Sequence, residues 1–229
     1  MTVFHTFADA PAAAAALADA VSGSLRDVLA QQPEATLAVS GGRSPVAFFH
    51  ALRQTDLDWA RVNITLADER IVPVGHPDSN TALVRQHLLQ ERAAAARWLP
   101  LIDENAGSLN DTAAVLDFAL RHHRQPDVLV LGMGADGHTA SLFPQAPQLA
   151  AALADNAPPL AHTSPVTAPH ERLTLTLPAL CRSRNVYLAI AGADKLAVYR
   201  QAAAAVQAQY PVSHILHSEK VSPHVFYHD

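Results

Sequence analysis

The hydrophobic positions of this chain change spacing repeatedly, from short apolar runs to helical periodicity. Val3–Phe7 reads as a short strand. Asp9 supplies a helix cap, Pro11 suits the first turn, and the Ala, Leu and Val positions keep helical spacing to about Gln32. Thr36–Val39 is an apolar strand that stops at Ser40-Gly41-Gly42, and Ser44-Pro45 opens a helix from Pro45 to about Gln54. Val62–Ala67 is the third strand, ending in Asp68-Glu69-Arg70. After a Pro/Gly loop from Val72 to Pro77, Ser79–Gln90 and Asp111–His123 read as helices. Asp127–Leu131 is a strand that stops at Gly132, Arg172–Leu177 alternates between prolines, and Asn185–Ala191 is a clear strand. Asp194 to about Ala208 is an Ala-rich helix, and Val225–Tyr227 is expected to close the sheet.

This alternation predicts an α/β fold: a single-domain, mostly parallel, doubly wound sheet with helices on both faces. No linker divides the chain, so residues 1–229 are assigned to one domain, and the Pro/Ala-rich stretch Pro144–Pro169 is an excursion from it. A chain of 229 residues buries roughly 70% of its unfolded surface and needs no disulfide or metal staple. Hydrophobic residues at 49% and charged residues at 16% exclude wholesale disorder. Sixteen basic against 21 acidic residues give a net charge of −5, which opposes a nucleic-acid partner. No stretch of ~20 residues is apolar enough for a membrane span, and the N-terminus does not resemble an export signal. The single cysteine, Cys181, excludes an internal disulfide and fits a reducing compartment. A soluble cytoplasmic protein is expected.

Candidate chemistry gathers at the strand ends. Ser40-Gly41-Gly42, Asp68-Glu69-Arg70, Gly132–His138 and Gly192–Lys195 each follow an apolar strand. Ligands of open α/β sheets bind beyond the carboxyl ends of the strands, so these segments would meet on one edge. Glycines before a helix suit either a phosphate cradle or a tight turn. Gly132-x-Gly134-x-x-Gly137 matches the dinucleotide fingerprint in form only: Asp136 inside the turn would repel pyrophosphate, and Asp155 lies in Ala-rich sequence rather than at a second strand end. His138, after three glycines and two residues from Asp136, is placed for ligand contact, with the carboxylate able to orient or charge it. His214, His217, His224 and His228 have neither carboxylate partners nor ligand spacing and are assigned to surface or packing. The acid-acid-base run at Asp68-Glu69-Arg70 is more than a turn requires. Lys195, one of two lysines, stands at a helix start, where a cation opposes the dipole unless an anion is bound. Arg172 either meets the same anion or forms a surface ion pair.

Taken together, SGGRSP (40–45), ADER (67–70), VPVGHPDSN (72–80), LGMGADGHTASLFP (131–144), ERLTLTLPAL (171–180) and AGADK (191–195) resemble the 6-phosphogluconolactonase family, within the larger glucosamine-6-phosphate deaminase/isomerase group. The resemblance implies a small phosphosugar lactone as substrate, bound by a monomer or small homo-oligomer. It implies that Ser40, Gly41 and Gly42, with Arg172 and Lys195, hold the 6-phosphate. His138 would stand by the lactone carbonyl, with Asp68, Arg70 and Asp136 nearby. It implies no metal and no organic cofactor. General-base chemistry suits a strained cyclic ester: a neutral His138 takes a proton from water, Asp136 favours the imidazolium, and a donor such as Arg70 meets the oxyanion. A deaminase would need a carboxylate relay at residue 143, where this chain has phenylalanine. A non-catalytic phosphosugar sensor would need a DNA-binding module, which the chain has no room for before the cradle.

Overall fold

The computed structural model of the protein describes residues 2–42 and 44–229. The chain runs through β1 (Val3–Phe7), α1 (Ala10–Leu29), β2 (Ala35–Val39), α2 (Val46–Leu52), β3 (Val62–Leu66), β4 (Asp68–Arg70), α3 (Asn80–His87), β5 (Arg97–Trp98) and α4 (Thr112–His122). It continues through β6 (Val128–Gly132), α5 (Leu149–Leu153), β7 (Leu160–Thr163), β8 (Arg172–Leu175), α6 (Leu177–Leu180), β9 (Asn185–Ala191), α7 (Ala193–Ala204), α8 (Val212–Leu216) and β10 (His224–His228).

Seven strands form one parallel sheet in the order β1-β10-β9-β6-β2-β3-β5. Every residue of β2 and β3 is buried, which requires cover on both faces, as the continuous apolar runs predict. Thr36, Asn63 and Thr65 are buried polar exceptions, and the side chains of Asn63 and Thr65 find partners in Glu34 Oε2 and the Leu99 carbonyl. The chain leaves β2 toward β3 and later returns to its other side at β6. That reversal opens a crevice at the carboxyl ends of β2 and β6, where an open α/β sheet binds ligands.

Local chemistry sets the helix limits. Asp9 Oδ1 accepts from the Ala12 N–H at 2.8 Å and caps α1. The helix ends at Leu29 rather than near Gln32, because the N–H groups of Gln31 and Gln32 both turn back to the Val28 carbonyl ahead of Pro33. Ser79 and Asp111 cap α3 and α4. No helix among the described residues is long and apolar enough to cross a membrane.

Three further expectations change. Asp68-Glu69-Arg70 is not merely the end of a strand: it is a strand itself, in a second, antiparallel sheet ordered β4-β8-β7. Its third member, β7, lies inside the stretch expected to be an excursion; Leu160-Ala161-His162-Thr163 has little alternation to announce a strand. Val225–Tyr227 does not close the sheet, because β10 lies between β9 and the edge strand β1 and pairs with both. Asp9→Ala, which removes one cap acceptor at the start of a 20-residue helix, is expected to lower stability by about 1 kcal/mol in urea denaturation, with the fold retained.

Candidate active site

The crevice is a cleft of about 560 Å³ walled by the loops after β2 and β6, the first turn of α7, and strands β4 and β8. Ser40, Gly41, Gly42, Asp68, Arg70, His138, Arg172 and Lys195 all line it. Asp136 stands behind His138 rather than in the wall. Arg43, within the SGGRSP run, lies outside the described residues.

The glycines of the loop after β6 make room for an imidazole–carboxylate pair. The Gly134 N–H donates to the His138 carbonyl at 2.9 Å, and the Gly137 N–H to the Gly134 carbonyl at 3.0 Å. A Cβ on Gly134 would overlap both the His138 ring and the Asp136 carboxylate. Gly137 takes a φ of 76° and packs against Tyr210, so a side chain there would be both strained and obstructed. Within this loop His138 Nδ1 meets Asp136 Oδ1 at 2.6 Å. With the Nδ1 proton donated to Asp136, Nε2 carries the lone pair. Burial pushes the Asp136 carboxyl up, but the His138 ring hydrogen bond, its charge and its backbone N–H outweigh it and hold the carboxyl below its ordinary range.

Strand alternation organises the opposite wall. Asp68 and Arg70 line the cleft, and Glu69 between them points away and is 1% exposed. Its Oε1 accepts from the backbone N–H groups of Arg70 (2.7 Å) and Asn80 (2.9 Å). Its Oε2 accepts from the N–H (2.7 Å) and hydroxyl (2.8 Å) of Thr81. Burial raises the Glu69 carboxyl above its ordinary range despite these bonds. The same contacts seat the start of α3, where Asn80 Nδ2 donates to the Asp68 carbonyl at 2.9 Å. A Cβ on Gly41 would overlap the Asn80 amide, so this glycine admits a side chain from another element as well as freeing its own backbone. The Asp68 carboxylate accepts from Ser141 Oγ at 2.6 Å.

The pairing of β4 with β8 sets Arg70 directly across from Arg172. Like charges across a ladder repel, and Arg172 is 5% exposed. Burial, and then the Arg70 charge, lower the proton affinity of Arg172. Burial does the same to Lys195, which lies in the first turn of α7. Among the described residues, none of these three cations has a carboxylate within ion-pair distance. The Nε atoms of Arg70 and Arg172, and Ser40 Oγ, are buried without hydrogen-bond partners. At the rim, Arg70 Nη1 donates to the Asp78 carbonyl at 2.5 Å. His76, Asp78 and His170 bring metal-ligand atoms within 4.8 Å of one another. The three also bond among themselves: His76 Nδ1 accepts from the Asp78 N–H at 3.1 Å, and His170 Nε2 meets Asp78 Oδ2 at 2.8 Å.

The wall also contains residues that the motif reading left without a role: Asn80, Phe143, His170 and His228. His228 had been assigned to surface or packing; it reaches the cleft because β10 lies inside the sheet, beside β9. Nothing in its local sequence marks it.

An open parallel sheet with its crevice at the switch point defines the doubly wound α/β class. The chain belongs to the glucosamine-6-phosphate isomerases/6-phosphogluconolactonase family, whose model matches residues 8–223. It is 53% identical over 229 residues to the 6-phosphogluconolactonase of Neisseria meningitidis serogroup A, covering 99% of each chain. It superposes on a solved Neisseria gonorrhoeae structure with a TM-score of 0.97 at 52% identity, covering 100% of both chains. Against a crystal structure of a 6-phosphogluconolactonase from Shewanella baltica the TM-score is 0.90 at 38% identity, over 100% of this chain and 98% of that one.

The lowered Asp136 carboxyl has a consequence for stability. A group whose folded pKa lies below its unfolded value contributes stability above the unfolded value and loses it as pH falls through the folded one. Thermal melts recorded downward from about pH 5 should therefore show a steeper acid loss in the native protein than in Asp136→Asn.

Proposed function

We propose that the protein hydrolyses 6-phospho-D-glucono-1,5-lactone to 6-phospho-D-gluconate, the second step of the pentose phosphate pathway, as a cytoplasmic monomer or small homo-oligomer. The observation that carries this reading is a single cleft shared by a carboxylate-bound imidazole and three cations that, among the described residues, have no carboxylate within ion-pair distance. A phosphate dianion answers the cations. The Arg70–Arg172 register and the desolvated Lys195 are costly alone and become favourable when two negative charges lie among them. Ser40, Gly41 and Gly42 complete the cradle.

The chemistry then needs only His138 and its neighbours. The lactone carbonyl is electrophilic, and water attacks it as His138 Nε2 takes the proton. Asp136, 2.6 Å from Nδ1, stabilises the imidazolium. Arg70 is the candidate donor to the oxyanion. Collapse of the tetrahedral intermediate breaks the bond to the ring oxygen, which receives the proton from the imidazolium and leaves as a hydroxyl. Asp68, held by Ser141, shapes the same wall. The deaminase reading is disfavoured by residue 143: a buried phenylalanine stacks on His138 where that chemistry would require a carboxylate relay.

Purified protein should accelerate acid release from freshly made 6-phosphogluconolactone above its spontaneous hydrolysis in a pH-stat, unchanged by added chelator. Ammonia release from glucosamine 6-phosphate without lactone hydrolysis would overturn the assignment. Folded His138→Asn should lose roughly 10²–10⁴-fold in kcat with little change in KM. Near-native kcat in that variant would remove His138 as the base and leave Asp68 as the leading candidate. Lys195→Ala and Arg172→Ala should each raise KM about 10-fold or more, because each deletes a charge-assisted contact worth roughly 1.5–3 kcal/mol. Equal kcat/KM for phosphorylated and unphosphorylated gluconolactone would show the cradle to be misassigned.

A further inference from the structure

The turn that follows His138 is held more firmly than presenting an imidazole requires. Thr139 and Leu142 pair across an antiparallel bridge, and Ala140 within it takes a φ of 46°, a left-handed conformation that alanine adopts only under constraint. Side-chain hydrogen bonds impose that constraint. Thr139 Oγ1 donates to the Gly132 carbonyl at 2.8 Å, and Thr163 Oγ1 to the Ser141 carbonyl at 3.0 Å. Ser141, fully buried, donates its hydroxyl to Asp68 and its N–H to Thr174 Oγ1 at 3.1 Å. The next pair of residues outward across this bridge is His138 and Phe143. Their rings stack with centroids 4.1 Å apart and an interplanar angle of 27°. Phe143 is 4% exposed, and the Arg172 guanidinium carbon lies 5.7 Å from the same ring centroid.

The Asp136 contact already selects the imidazole tautomer, so the stacked ring is not needed for that. An aromatic face attracts a cation, and the imidazole becomes one when it takes a proton. We propose that Phe143 is a positioning residue whose ring stabilises the His138 imidazolium formed as water is deprotonated and holds the imidazole plane in place for the transfer. The proposal rests on the lactonase reading above. It gives the constrained turn a purpose: the bridge, the left-handed Ala140 and the Ser141 anchors bring a π face against the base. The ring that meets the imidazole also meets the guanidinium assigned to phosphate.

The charged and titratable groups around the imidazole are Asp136 on its own loop, Asp68 and Arg70 on β4, Arg172 on β8, Lys195 on α7, and Asp78, His170 and His228 in the cleft wall. Asp136 favours the imidazolium and Arg172 opposes it. Replacing Phe143 with leucine changes none of these charges and removes the aromatic face.

The test is a pair of pH titrations on native protein, Phe143→Leu and Phe143→Tyr. One follows the His138 ring proton by NMR, assigned by its absence in His138→Asn; the other follows kcat. In folded Phe143→Leu, the NMR midpoint and the acid limb of kcat should both move down by about 0.5–1 pH unit, with kcat reduced roughly 3- to 10-fold. Phe143→Tyr, which keeps a ring, should restore both. An unmoved NMR midpoint in Phe143→Leu, shown folded by thermal melt, would overturn the proposal and leave the ring as packing alone. Should Phe143→Leu not fold, pentafluorophenylalanine introduced at position 143 preserves the shape and reverses the charge distribution of the ring, and the same downward shift is expected. The NMR titration needs no substrate. If the native protein failed to hydrolyse the lactone, the lactonase reading would fall, while the midpoints would still decide whether the ring stabilises the imidazolium.

Discussion

The arrangement of the cleft depends on one buried carboxylate. Glu69 receives hydrogen bonds from Arg70, Asn80 and Thr81 at both of its oxygens, and among the described residues no cation lies within ion-pair distance of it. Without those donors, a carboxylate at 1% exposure would cost several kcal/mol. With them it ties a short strand to the first turn of a helix. Because side chains alternate along a strand, burying Glu69 on one face commits Asp68 and Arg70 to the other, which is the cleft. The start of α3 brings Asn80 under the glycine cradle, so the carboxylate wall and the cradle are fixed by one set of bonds.

The charges of the cleft are arranged against the stability of the free protein. Arg70 and Arg172 are cross-strand partners, and Lys195 stands at a helix start where the dipole disfavours it. The nearby carboxylates are engaged elsewhere: Asp68 with Ser141, Asp136 with His138, and Asp78 with His170. A protein selected for stability alone would pair the cations with them. On the proposed reading, the phosphate of the substrate supplies the negative charges that these cations lack, so the repulsion is relieved on binding.

The family relationship and the geometry address different questions. A match over residues 8–223 places the chain in a family whose description joins isomerases with a lactonase. The family description covers both chemistries, so membership by itself does not separate them. The separation lies in what surrounds the imidazole. Phe143 is apolar, buried and stacked on His138, and on the proposed reading it leaves the imidazole to act on water while offering no proton relay.

By itself the sequence determined the α/β alternation, the parallel main sheet and the edge on which chemistry gathers. These follow from local causes: the spacing of apolar residues, Asp and Ser caps, and glycines at strand ends. It also marked Ser40, Asp68, His138, Arg172 and Lys195, because polar residues directly after apolar strands are conspicuous and a lysine at a helix start is anomalous. The tertiary structure alone decided the second sheet, since β4, β7 and β8 are short segments whose antiparallel pairing is a long-range choice among residues distant in the chain. It decided that Arg70 faces Arg172, that Asn80 lies against Gly41 and that Phe143 stacks on His138. It also brought His228 into the cleft through the position of β10. Each of these is set by register or by packing between elements, and neither is encoded in the spacing of residues along a single segment.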